Sequence, residues 1–278
     1  MTSSRRVLAR LAALLPLGGC SATGLATALT PSGGVAVERD LAYGPLPRQR
    51  MDLYRPAGLA PGAPLLVFFY GGGWRMGARA DYPFVARPLA RLGALVAVPD
   101  YRLWPEIAWP GFVEDGAAAV QALAEREPGR PLVLMGHSAG AFIAASLALD
   151  PRWGVRPRVA GYIGLAGPYD FGSDEVTPPA IFGGRPRVMA APPEVDLRGA
   201  PRLLLLHGAA DVTVGPYHSR ILAQRARAAR VEVRHVEYAG VSHVGIVAAL
   251  ATPVRALGLA GADVLGDLAA FLGPAQIA

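Results

Sequence analysis

The stretch Leu132-Val133-Leu134-Met135-Gly136-His137-Ser138-Ala139-Gly140-Ala141-Phe142-Ile143 decides how the rest of the chain is read. Its first four residues are apolar and predict a strand buried on both faces. Residues 141–149 are almost purely apolar and predict a helix. Between them stands Gly-x-Ser-x-Gly, a strand-to-helix turn too sharp for side chains at its flanking positions. A serine on such a turn projects its hydroxyl above the sheet. The helix behind it aims its first amides at the place where negative charge develops in acyl transfer. The segment therefore predicts a nucleophile elbow with Ser138 at its tip.

Working outward, apolar or alternating runs predict strands at 35–42, 50–54, 65–70, 94–98, 159–165, 202–206 and 231–238. Helical patterns fall at 81–92, 112–126, 216–229 and 262–272. Strands alternating with helices imply an α/β fold, a mostly parallel sheet with helices on both faces. Functional groups in such sheets gather at the carboxyl ends of the strands. Residues 172–200, rich in Pro and Gly, read as an irregular insertion near that edge.

Three further segments end strands there. Tyr70-Gly71-Gly72-Gly73-Trp74 offers backbone amides with no side chains in the way. Gly72 and Gly73, with Ala139 after the serine, are the expected donors to an oxyanion. In His207-Gly208-Ala209-Ala210-Asp211 the aspartate follows a strand by a short loop, a place from which a carboxylate can orient a histidine. Val241-Ser242-His243-Val244-Gly245 puts a histidine in a late turn before the last helix. Of the five histidines, only His243 occupies such a loop. The expected catalytic set is Ser138, Asp211 and His243, with Asp170 as a second candidate acid. Trp74, Tyr70 and Tyr169 are candidates to wall a pocket, as are Trp104, Trp109, Phe142, Phe171 and Phe182. No metal or organic cofactor is expected.

The chain has 278 residues, 52% of them hydrophobic and 17% charged, with a net charge of +6. All 27 basic residues are arginine, and Arg5, Arg6 and Arg10 account for half of the excess. The small remainder gives nucleic-acid binding little support. A single cysteine, Cys20, excludes an internal disulfide and a cysteine metal cluster. Arg5-Arg6, a mostly apolar run to Leu17, and Leu17-Gly18-Gly19-Cys20 resemble a bacterial export signal ending in a lipidation box. Ser4-Arg5-Arg6-Val7-Leu8 also fits a twin-arginine signal. The expected plan is a signal over 1–19, a flexible tether over 20–34 beginning at a lipidated Cys20, and one domain over 35–278. That plan places the protein in the cell envelope as a periplasmic lipoprotein of the outer membrane, held to the membrane by its lipid.

Taken together, these motifs resemble the α/β-hydrolase superfamily, in which the chain order is Ser, Asp, His. More narrowly they resemble its carboxylesterase branch with a His-Gly-Gly-Gly-Trp loop, which includes hormone-sensitive-lipase-like, feruloyl and acetyl esterases and kynurenine formamidases. Residues 99–106, Trp109-Pro110 to Asp115, and 164–171 share the likeness. Tyr70 stands where the branch carries histidine; that side chain supports the loop, and a tyrosine hydroxyl can replace one of its hydrogen bonds. The resemblance implies a serine carboxylesterase for small to medium acyl esters. An arylformamidase is the alternative within the class, and a membrane-anchored, non-catalytic binding protein the alternative outside it.

Overall fold

A computed structural model describes residues 22–171, 179–185 and 187–273. Cys20 and the expected signal lie outside the described residues. The chain runs through α1 (Ala22–Ala28), β1 (Val35–Ala42), β2 (Arg50–Pro56), β3 (Leu65–Phe69), α2 (Pro83–Arg91), β4 (Leu95–Pro99) and α3 (Gly111–Arg126). It continues with β5 (Leu132–His137), α4 (Ala139–Leu149), β6 (Val159–Leu165), β7 (Asp170–Phe171), β8 (Val188–Met189) and β9 (Arg202–Gly208). The last elements are α5 (Tyr217–Ala228), β10 (Val233–Tyr238), α6 (His243–Ala248), α7 (Thr252–Ala256) and α8 (Val264–Leu272).

Eight strands form one sheet in the order β1-β2-β4-β3-β5-β6-β9-β10. The β1–β2 and β2–β4 pairs are antiparallel and every later pair is parallel. Every residue of β3, β4 and β5 is buried, as their unbroken apolar sequences require of strands covered on both faces. The short β7–β8 pair lies apart, with β7 just before the expected insertion and β8 inside it.

Helix α4 is buried along its whole length. Gly136 and Gly140 let it pack this closely. A Cβ at Gly140 would overlap the carbonyl oxygens of Phe69 and Tyr70, and one at Gly136 would overlap the Gly140 carbonyl. The elbow glycines thus answer to close approach of backbone. Ser138 itself holds φ 52°, ψ −124°, a sparsely populated conformation for a residue with a side chain. Its N–H donates to the Leu165 carbonyl at 3.0 Å, which pins the turn to β6.

Several boundaries differ from the sequence reading. Residues 22–28 form a helix where a flexible tether was expected. The guanidinium of Arg87 donates to the carbonyls of Thr27 and Thr30, and that of Arg91 to the carbonyls of Pro31 and Gly33. These contacts satisfy the open end of α1 from α2, where a cation is also favoured by the helix dipole. The ordered body therefore begins before residue 35. Helix α2 starts at Pro83, after a separate 3₁₀ turn over Arg79–Asp81. Strand β10 starts at Val233, because Arg230 takes φ 59° and Val231 bonds back to the Ala226 carbonyl, closing α5. Helices α6 and α7 are too short to show an apolar period in sequence.

Candidate active site

Three strand ends bring together side chains 32 to 105 residues apart in sequence. Ser138 Oγ lies 2.8 Å from His243 Nε2, and His243 Nδ1 lies 2.7 Å from Asp211 Oδ2. An ionised carboxylate only accepts, so Nδ1 carries the proton and Nε2 is left to accept from the Ser138 hydroxyl. The other oxygen of Asp211 accepts from the backbone N–H of Thr213 and of Val214, both at 2.9 Å. Burial alone would raise the Asp211 carboxyl. Hydrogen bonds from His207, His243 and the Val214 N–H outweigh it and hold the group well below the usual carboxylate range.

The imidazole of His243 is fixed from the backbone side as well. It is the first residue of α6, capped by Ser242, whose hydroxyl accepts from the Gly245 N–H. Its carbonyl takes a 3.0 Å hydrogen bond from Nε2 of His137, the residue just before the nucleophile. Burial, aided by the neighbouring His243, pushes the His137 imidazole down to about 3, so this ring is a neutral donor. The sequence reading gave His137 no task; its place inside the elbow is the signal that could have.

The glycine loop follows β3. Gly72 holds φ 125°, and a Cβ there would overlap the Met76 carbonyl, so only glycine suits the turn. Gly72, Gly73 and Ala139 line the same cavity as Ser138, and their amides donate no hydrogen bond within the described residues. Tyr70 does not line the cavity. Its ring is stacked between Tyr82 and Tyr101, with centroids 5.1 and 4.8 Å away. Its hydroxyl donates to Asp100 and accepts from Arg48. Arg48 also bonds the carbonyls of Tyr101 and Gly77 at 2.8 Å each, binding the loop's two ends. Tyr70 thus supports the loop, as its departure from the histidine pattern led us to expect. Arg48, far upstream on a turn, carried no sequence signal.

Above Ser138 lies a cavity of about 860 Å³. Trp74 lines it, backed by the rings of Phe112, Phe142 and Phe182. Tyr169, expected in the wall, instead turns its hydroxyl into the protein, 3.1 Å from that of Tyr162; its neighbour Pro168 faces the cavity. Asp170 pairs with Arg187, away from the histidine. Trp104 and Trp109 also lie off the cavity, each under an arginine, Arg75 and Arg185. Much of the remaining wall was not foreseen, including Thr23 and Ala26 of α1, and Val247, Ala248, Ala251 and Val254 of α6, α7 and the turn between them. Among the described residues, no arginine, aspartate or glutamate lines the cavity.

Residues 66–181 match the family whose description is the alpha/beta hydrolase fold. An isoprenylcysteine alpha-carbonyl methylesterase of Arabidopsis thaliana is 28% identical over 254 residues, covering 79% of this chain and 58% of the relative. A kynurenine formamidase of Danio rerio is 31% identical over 135 residues, covering 47% of this chain and 46% of the relative. The chain thus spans about half to three-fifths of these relatives' lengths. A thermostable esterase from Pseudomonas putida has a solved structure that matches with a TM-score of 0.69 at 23% identity, over 90% of this chain and 88% of that one. Sheet order, the match over residues 66–181 and similarity of shape agree, and the chain has the α/β-hydrolase fold.

Proposed function

We propose that the protein is a serine esterase acting on uncharged esters that carry a substantial apolar group. The observation that carries this reading is the 2.8 and 2.7 Å relay from Ser138 through His243 to Asp211 on the floor of a cavity that no arginine, aspartate or glutamate lines among the described residues. In the proposed reaction Ser138 Oγ attacks the ester carbonyl while His243 Nε2 takes its proton. Asp211 holds the imidazole in the required tautomer and stabilises the imidazolium. The amides of Gly72, Gly73 and Ala139 receive the oxyanion. The imidazolium returns the proton to the departing alkoxide, and water then attacks the acyl-enzyme with the same base.

Esters of small to medium acyl length remain the starting expectation, and the cavity leaves room for a larger apolar alcohol or acyl group. The methylesterase relatives fit this chemistry by name. The formamidase reading has less support, because a zwitterionic amino-acid substrate would leave its two charges unpaired against an apolar wall. A panel of p-nitrophenyl esters beside N-formylkynurenine tests the choice. Ester turnover that falls on the order of 10⁴-fold or more in Ser138→Ala, with the fold intact, is the expected result. Exclusive turnover of N-formylkynurenine would replace the reading. A well-folded protein that hydrolyses neither, and resists a fluorophosphonate probe, would be a binding protein instead.

We further propose that the chain is exported and anchored through a lipid on Cys20. The basic start, apolar run and Gly18-Gly19-Cys20 support this. Mass spectrometry of the native N-terminus should find acylated Cys20; an unprocessed Met1 contradicts it.

A further inference from the structure

His207, in β9, is enclosed completely and does not line the cavity. Its Nε2 lies 2.9 Å from the Val214 carbonyl oxygen. A carbonyl only accepts, so Nε2 carries the proton. Nδ1 is then free to accept from the Ser219 hydroxyl, 2.8 Å away. The same Nε2–H also stands 3.3 Å from Oδ2 of Asp211, the oxygen that receives the Nδ1–H of His243. Val214 closes the figure: its N–H holds Oδ1 of Asp211 while its carbonyl holds His207. Behind Ser219 the chain of contacts continues. Ser219 is hydrogen-bonded to Tyr169, the Tyr169 and Tyr162 hydroxyls meet, and Tyr162 donates to the Ala141 carbonyl in the first turn of α4. One buried network therefore joins the carboxylate loop to the helix that carries Ser138.

We infer that His207 is a positioning residue for the reaction, holding Oδ2 of Asp211 in line for His243. The inference rests on the serine-esterase reading above. A fully buried imidazole needs partners at both nitrogens, and Val214 and Ser219 supply them; what sets His207 apart is that its Nε2 also lies 3.3 Å from the carboxylate oxygen that receives His243. A donor on Oδ2 also competes with His243 for that oxygen. Its removal both loosens the carboxylate and strengthens the oxygen's hold on a protonated His243. The titratable groups around the pair are His137 from the elbow side, His235 and Glu237 from β10, and Tyr169 behind Ser219. None of them changes in the variants below.

The test compares His207→Phe with His207→Gln, whose amide N–H reaches towards the position of Nε2. The readouts are pH profiles of kcat/KM on a p-nitrophenyl ester and the rate of fluorophosphonate labelling. His207→Phe is expected to lower kcat about 10- to 100-fold with KM within about threefold. Its acidic limb should move to higher pH by about half a unit, the direction set by the stronger Asp211–His243 contact. His207→Gln is expected to recover kcat to within about fivefold of the wild type and to return the limb. A His207→Phe protein with wild-type thermal midpoint, kcat and acidic limb overturns the inference, as does a Gln variant no better than Phe. Should the Phe variant fail to fold, Ser219→Ala takes its place, since it frees Nδ1 and with it the tautomer. It should lower kcat about three- to tenfold and move the limb the same way; an unmoved limb overturns the inference. A wild-type protein that the probe does not label removes the esterase reading and this one with it. Labelling of the wild type with an unaltered Phe variant removes this one alone.

Discussion

The two halves of the cavity are built on different principles. The half around Ser138 is backbone and fixed rings: glycines that admit no Cβ, an elbow pinned to β6, and imidazoles with assigned partners. The half formed by α1, α7 and the part of α6 beyond His243 lines the space with small side chains, among them Ala26, Val247, Ala248, Ala251 and Val254, which supply shape. Chemistry needs atoms placed to within a fraction of an ångström, so the first half tolerates little. Accommodation of an apolar group needs only volume, so the second half can change residue by residue.

The largest effect that would test this contrast is steric. Gly140→Ala places a methyl group into the carbonyls of Phe69 and Tyr70 and should cost about 3 kcal/mol or more in urea unfolding. A variant as stable as the wild type would mean the elbow is less constrained than it looks. Next comes His137. Its folded ring titrates at about 3 against roughly 6.5 in an unfolded chain. Between those values the unfolded state binds a proton that the folded state refuses. The contribution is therefore complete above pH 6.5 and is lost as pH falls. It should cost about 2 kcal/mol between pH 7 and pH 5. His137→Gln should flatten that slope; an unchanged slope would show that the ring is not held neutral.

On the pliable side, Ala251→Phe should fill space without touching Ser138. We expect kcat/KM for a long-chain p-nitrophenyl ester to fall about tenfold while the acetate ester changes by less than about twofold. Equal losses on both esters would erase the distinction between the halves. The smallest effect belongs to Tyr70→Phe. It removes one hydroxyl from Asp100 and Arg48, which keep other partners, and should lower stability by about 1 kcal/mol with kcat nearly unchanged.

The same contrast explains what could be read from the sequence. Strand–Gly-x-Ser-x-Gly–helix is legible because sterics leave few residues that can make the turn, and Gly72 is legible for the same reason. Asp211 and His243 follow from their places after strands, and the parallel sheet from its unbroken apolar runs. Pattern does not reveal α1. Ala-Thr-Gly-Leu-Ala-Thr-Ala is a weak helix former, ordered by arginines some 60 residues downstream. Tyr169 misled because an aromatic beside the sheet edge reads alike whether its hydroxyl faces a cavity or a buried serine. Arg48 matters through partners 22 to 53 residues away that only the fold brings near, and His207 through a loop whose folding back onto β9 no pattern announces.

The guanidinium clasp on α1 carries a practical consequence. A shortened protein starting at Val35 would retain all eight strands and the relay beneath them, yet it would lack Thr23 and Ala26 and leave Arg87 and Arg91 facing water. Substrate preference measured on such a trimmed form would describe an unroofed vessel, so a faithful soluble version has to begin no later than Ala22.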